Sequence, residues 1–342
     1  MKISAIVLIA VIAGAAVTGL LGFSMIPWLR KLKFGGTVLD SEDNKFAVPT
    51  MGGMMIIIGT CSAILLAVLT DKISGGNIVS SGSLIPEEMF TKLWSGIVMA
   101  LALSLIGFMD DFIKIKKRNN FGLTFKEESI MLFFVGLSYL VGLYMGMSGA
   151  PHMFIPFAGT VEPGFFFWVI GLFIVYAAVN AVNQSDGVDG LCGGVALTAA
   201  VSIAAVAAMK GLFGFSMAGA ALAGSCLAFV LWNKKPAGVH MGKTGSMFLG
   251  GMLVALCYGI GSPLMLILIG IAFFINAGSS VLQVVYFKKT GGKKLLKMAP
   301  LHRHLELCGW SANKITLMFT AVNVAGGVVA ALLMYFGGYV MR

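Results

Sequence analysis

The chain alternates long apolar runs with short polar breaks. A membrane-spanning helix needs about 20 mostly apolar residues, and ten stretches meet that need: roughly 3–27, 51–70, 93–109, 129–148, 165–182, 190–209, 214–232, 245–260, 263–287 and 315–338. The pattern predicts an all-α integral membrane protein with ten transmembrane helices, one polytopic domain over 1–342. No stretch carries the small-residue cleavage site of a removable signal, so the first span is expected to stay. The segment around 149–164, between spans four and five, holds no Lys or Arg and suits a short hairpin.

Composition agrees with this pattern. The chain is 58% hydrophobic and 11% charged, whereas a soluble domain carries about 25% charged residues. An ordinary cytosolic enzyme, a secreted disulfide scaffold and a disordered chain are thereby excluded. The cysteines form no CxxC or Cys/His metal spacing. The net charge of +10 would suit nucleic acid, but its distribution excludes that partner. Nineteen of the 24 Lys and Arg lie in the loops after spans one, three, five, seven and nine. By the positive-inside rule those loops are cytoplasmic, and both termini are outside.

Four polar clusters then stand out, all on the side the charge count makes cytoplasmic. Asp110 and Asp111 end span three. Two adjacent acids at a helix C-terminus repel each other and oppose the helix dipole, so they call for nearby cations: a metal, or Lys114, Lys116, Lys117 and Arg118. Asn180, Asn183, Asp186 and Asp189 recur every three residues with no Lys or Arg among them, and make one polar stripe if the segment stays near-helical. Asn233 to Ser246 is a Gly- and Lys-containing stretch before a helix, which suits phosphate but is not a P-loop. His302, Arg303 and His304 sit in the longest basic loop, and their spacing suits a loop or extended turn rather than one helical face. Acids, amides, histidines and lysines gathered at one membrane face describe a site for an anionic, metal-bound ligand. A transporter would more often place such groups at the bilayer midplane.

Pro49-Thr50-Met51-Gly52-Gly53, the Asp110-Asp111 pair, Asn180 to Gly190, Met241 to Gly251 and Met298 to Trp310 resemble, in order and spacing, the polyprenyl-phosphate N-acetylhexosamine-1-phosphate transferases. The resemblance spans nearly the whole chain, and Pro-Leu-His-Arg-His-Leu-Glu favours the phospho-MurNAc-pentapeptide branch over the GlcNAc-1-phosphate branch. It implies a homodimer in the bacterial inner membrane with its active site on the cytoplasmic side. It also implies Mg²⁺-dependent transfer of phospho-MurNAc-pentapeptide from UDP-MurNAc-pentapeptide to undecaprenyl phosphate. The products are lipid I and UMP, and uridine-type nucleoside inhibitors should bind.

Carried across by motif, Asp110, Asp111 and Asp186 are the expected catalytic acids, with Asp111 and Asp186 at the metal. Asn183, Gly187 and Asp189 match positions lining the uridine pocket. Lys45, Thr50, Lys114, Asn233 and Gln283 match further nucleotide-site positions, and Arg118 stands where the family places a lysine. His302 and His304 match the ends of a His-His-His run, expected at the diphosphate or sugar. Three positions depart from the pattern. Lys243 stands at a metal-ligand aspartate, His240 at a phenylalanine beside the uracil, and Arg303 at the central histidine. Lys243 is expected to pair with Asp186 or Asp111 in the metal's place, which leaves a non-catalytic nucleotide- or lipid-binding paralogue, or a transporter, as the competing reading. The lipid tail is expected along apolar helix surfaces, with Asn276-Ala277-Gly278 a candidate kink in span nine.

Overall fold

The computed structural model describes residues 3–32, 48–80, 86–117, 121–147 and 151–339. In chain order the helices are α1 (Ile3–Lys31), α2 (Gly53–Ile73), α3 (Pro86–Lys117), α4 (Phe125–Gly146), α5 (Phe166–Gln184), α6 (Leu191–Met209), α7 (Phe213–Asn233), α8 (Gly242–Gly259), α9 (Leu266–Ile269), α10 (Ile271–Lys289), α11 (Leu301–Leu307) and α12 (Ala312–Phe336). Among the described residues nine of these are long and apolar enough to cross a membrane. The protein is thus a multi-pass, almost wholly helical membrane protein. The one predicted span not among them is the eighth, 245–260, which corresponds to α8 and whose polar first turn, Gly-Lys-Thr-Gly-Ser, lowers its apolarity.

α8 is the central post. Every residue from Thr244 to Gly259 is buried. It packs chiefly on α3 and α5, while α7 joins α1 to α6. Lipid tails are as apolar as Leu, so helix association in a membrane rests on close packing of small residues rather than on expelling water. Gly53 and Gly245 show how close: a Cβ built on Gly53 would lie 2.1 Å from the Gly245 Cα. One face of α1, α4 and α10, with side chains such as Leu20, Phe134 and Val281, instead faces outward.

Two expectations about the last third of the chain are corrected. Span nine is not one helix kinked at Asn276-Ala277-Gly278. It is a 3-10 turn (Pro263–Met265), then α9, then a break at Gly270 before α10, and residues 276–278 are regular helix. His302 and His304 lie on the short helix α11, not in a loop or extended turn. That helix forms because α10 satisfies its first donors: Leu301 N–H donates to Ser279 Oγ at 2.8 Å and His302 N–H to Asn276 Oδ1 at 3.2 Å.

At the end of the bundle opposite the polar clusters, the predicted hairpin is present. β1 (Met153–Ile155) and β2 (Gly159–Val161) pair antiparallel with Phe154 opposite Thr160. The hairpin docks on the α8 C-terminal turn through Phe154 N–H to Gly261 O and Ser262 Oγ to Phe154 O, both 2.7 Å.

Candidate active site

The site is built around the N-terminus of α8. Gly242 turns the chain into that helix with φ +76, a conformation that L side chains rarely adopt. The first peptide N–H groups of α8 have no partners within the helix and need acceptors. Asp111, near the C-terminal end of α3, supplies them. Its Oδ2 accepts Thr244 N–H at 2.9 Å and the Thr244 hydroxyl at 2.8 Å, and its Oδ1 accepts Lys243 N–H at 3.2 Å. Asp111, which looked misplaced at the end of α3, is therefore placed at the positive end of α8, where the dipole favours it.

Asp110 points to a different set of partners. Its Oδ2 lies 2.5 Å from Lys114 Nζ, and its Oδ1 accepts Leu123 N–H at 2.8 Å. Lys243 Nζ stands 3.5 Å from Asp110 Oδ1 and donates to Glu128 Oε2 at 2.6 Å. The expectation that Lys243 pairs with Asp186 or Asp111 is corrected: only its backbone N–H meets Asp111, and its ammonium goes to Glu128 of α4. No local pattern in the sequence signals Glu128, because an acid in the first turn of a helix is ordinary.

The segment after α5 approaches from the other side. The predicted polar stripe is helical only through Gln184, and residues 185–190 turn toward α6. Asp186 lies close to Gly242 and to the carboxylates of Asp111 and Asp189. Burial, and then the neighbouring charge of Asp111, push its pKa up to about 7. Asn183 Oδ1 accepts the Ser246 hydroxyl at 3.0 Å. The Asp189 carboxylate lies 3.6 Å from His240 Nδ1, and its carbonyl accepts the Thr316 hydroxyl. Asn233 is buried with its amide divided between Gly190 N–H and Val239 O, each 2.9 Å, and so fixes the two loops against each other.

α11 closes the constellation. His302 is buried over Gly187, where a Cβ would fall 2.5 Å from its Nε2, and its Nδ1 lies 3.1 Å from Asn276 Oδ1. Burial, followed by the Arg303 charge, lowers its pKa to about 4, so the ring is neutral near pH 7. Asn276 also donates to Ser185 Oγ at 3.0 Å, which ties α10 and α11 to the Asp186 turn. Pro49 to Gly53 comes alongside through His240 N–H to Pro49 O, Gly52 N–H to His240 O and Gly53 N–H to Met241 O. Met51 there holds φ +68, a strained conformation for a residue with a side chain. The Thr50 hydroxyl abuts Gly242.

Thus Thr50, Asp110, Asp111, Lys114, Asn183, Asp186, Gly187, Asp189, His240, Lys243 and His302 gather at one end of the bundle. Three other expected residues have partners of their own within the 283–306 stretch. Gln283 accepts Leu295 and Leu296 N–H, His304 accepts Lys297 N–H, and Arg303 pairs with Glu306 at 2.9 Å. Lys45 and Arg118 lie outside the described residues. Glu128 is a site residue the sequence did not single out; Thr244 and Ser246 lie in the Asn233 to Ser246 stretch without a role of their own there, and the sequence suggests Asn276 only as part of a kink.

Whether these acids suit Mg²⁺ follows from their acceptor capacity. A carboxylate offers about four lone-pair positions, and Asp111 fills three of them. Mg²⁺ is usually held by one or two carboxylates with substrate phosphates and water, and Asp111 and Asp186, whose charges act on each other, are the carboxylates available for it. Among the described residues no three His, Cys, Asp or Glu side chains form a metal cage.

Comparison with known proteins now bears on this geometry. Residues 93–261, which include Asp110, Asp111, Asp186 and Lys243, match the family model for glycosyl transferase family 4. The chain is 35% identical over 319 residues to the phospho-N-acetylmuramoyl-pentapeptide-transferase of Bacillus mycoides (strain KBAB4), covering 91% of this chain and 92% of the relative. The chain belongs to that transferase family. The same identity and coverage hold for the enzymes of Bacillus anthracis (strain A0248) and Bacillus thuringiensis (strain Al Hakam). Membership covers the hairpin end as well as the site end, since the family relationship runs over nine-tenths of the chain.

Proposed function

We propose that this chain transfers phospho-MurNAc-pentapeptide from UDP-MurNAc-pentapeptide to undecaprenyl phosphate, giving lipid I and UMP in peptidoglycan synthesis. It works in the bacterial inner membrane with the α8 N-terminal end facing the cytoplasm. The observation that carries this reading is the meeting of Asp111, Asp186 and His302, far apart in sequence, around one helix N-terminus, in a member of this transferase family. Lys114, Lys116 and Lys117 in the last turn of α3, next to Asp110 and Asp111, support that orientation by the positive-inside rule.

A lipid phosphate oxygen attacks the sugar-side phosphorus of the UDP-sugar. One P–O bond forms, the bond to the UMP oxygen breaks, and UMP leaves. Both reactants are anions, so the chain's main task is to hold them together. Mg²⁺ on Asp111 and Asp186 would offset diphosphate charge and stabilise UMP as it leaves. Asp110 faces the lipid phosphate and takes its last proton, whose affinity is close to neutrality. Lys114 and Arg118 neutralise phosphate charge. Asn183, Asp189 and the backbone near Gly187 read uracil or ribose, and neutral His302 offers the sugar diphosphate a hydrogen bond. Lys45, Thr50, His240, Gln283, Arg303 and His304 complete the nucleotide and sugar contacts. The active form is a homodimer, and uridine-type nucleoside inhibitors compete for the uridine pocket.

The Lys243 ammonium beside Asp110 favours one second reading, a paralogue that binds nucleotide without turnover. The purified chain in lipid nanodiscs, given undecaprenyl phosphate and Mg²⁺, should release UMP from UDP-MurNAc-pentapeptide with matching formation of lipid I. UMP released from UDP-GlcNAc instead would place the chain in the GlcNAc-1-phosphate branch. Nucleotide binding without UMP release would favour the paralogue, and substrate flux across the bilayer without UMP release a transporter.

A further inference from the structure

The acids of this site are already compensated by the protein's own groups. Asp110, Asp111 and Glu128 are all at most 9% exposed, and buried carboxylates without partners would be strongly unfavourable. Asp111 is held by the α8 N-terminus and Asp110 by Lys114. Lys243 completes the set. Its side chain is 14% exposed and bridges Glu128 at 2.6 Å and Asp110 at 3.5 Å. An ammonium in the first turn of α8 sits at the helix end that repels cations, so the helix itself gives it no support. Glu128, one helix away and 115 positions earlier in the chain, is what holds it there.

We infer that Lys243, positioned by Glu128, is a built-in cation that lets this chain bind a nucleoside diphosphate with little help from a divalent ion. The inference rests on the nucleotide reading of the site proposed above. In a site whose acids lack such a partner, an incoming diphosphate meets uncompensated negative charge and binds only with a metal. Here the fixed ammonium lowers that repulsion before any ion arrives, and its charge also opposes a divalent cation entering beside it. Glu128 acts through Lys243 and is a positioning residue.

The test measures UDP affinity of the full-length chain in detergent by titration calorimetry, once in chelator and once in excess Mg²⁺. For the unaltered chain the two affinities should agree within about threefold, since a fixed cation needs no ion to act. Lys243→Met removes the ammonium and leaves every acid of the site in place. Its affinity in chelator should fall at least about tenfold below its affinity in Mg²⁺, the scale of one lost charge contact. Lys243→Arg keeps the cation and should restore the small ratio. An unaltered chain that binds UDP only with Mg²⁺ overturns the inference and leaves the proposed function standing, whatever the variants do. If UDP fails to bind the unaltered chain in both conditions, the nucleotide reading itself falls, and the inference with it.

Discussion

Thr244→Val tests the joint between α3 and α8 that organises the site. The change replaces a hydroxyl by a methyl of nearly the same shape, so it opens no cavity. What it removes is one 2.8 Å hydrogen bond to the Asp111 carboxylate, between residues that are 2% and 5% exposed. A hydrogen bond to a charged group contributes about 1.5–3 kcal/mol. Two backbone donors to Asp111 remain, so a loss of about 2 kcal/mol is expected, on the order of a 30-fold change in the folded-to-unfolded ratio. Denaturant unfolding of the detergent-solubilised protein measures it, run as a double-mutant cycle with Asp111→Asn. With the carboxylate gone, the same Thr244→Val change should be neutral within about 0.5 kcal/mol. An equal cost in both backgrounds would mean that Thr244 stabilises α8 independently of Asp111, and the description of the joint would be wrong.

Other outcomes follow from the same geometry. Gly53→Ala puts a Cβ 2.1 Å from the Gly245 Cα and should destabilise the fold by about 1–3 kcal/mol, read as a lowered melting temperature in detergent. Gly187→Ala pushes against His302 and should cut UMP release by about 100-fold while leaving the melting temperature nearly unchanged, because a small misplacement of a substrate-contacting group is costly to rate. Asp186, with its pKa near 7, must lose a proton to accept a cation, so Mg²⁺ affinity by calorimetry should weaken as pH falls below 7, by about tenfold per unit, and level off above it. His302 stays neutral in the fold down to about pH 4, whereas the unfolded ring takes a proton near 6.5. Its contribution to stability is therefore full above about 6.5 and lost as pH falls from there toward 4, a slope that His302→Gln should remove from an acid-unfolding curve.

Much of this was legible in the chain because a bilayer imposes few solutions. Apolar runs of spanning length mark helices whatever surrounds them, and loops rich in Lys and Arg mark one face. Polar residues at that face, such as Asp111 and Asp186, stood out because nothing in lipid requires them. What stayed hidden depended on contacts between distant segments. Glu128 looked like an ordinary helix-start acid, and only the fold brings it to Lys243. The break at Gly270 sits inside an apolar run with no polar punctuation, whereas Asn276-Ala277-Gly278 looked like a kink but stays helical, with the buried Asn276 amide engaged by Ser185 and His302. The short helix at His302 exists because Ser279 and Asn276 cap it from α10, a pairing that spacing alone does not reveal.

The central claim is that widely separated segments form a single nucleotide-sugar pocket at the α8 N-terminus. Photo-crosslinking with an azido-uridine analogue of UDP, followed by peptide mapping, tests it most directly. Labelled peptides should come from Asn183 to Gly190, from Val239 to Ser246 and from the stretch carrying His302, with excess UDP suppressing all three together. Labelling concentrated instead on the 153–161 hairpin or around Lys92 and Lys210, at the opposite end of the bundle, would contradict the account.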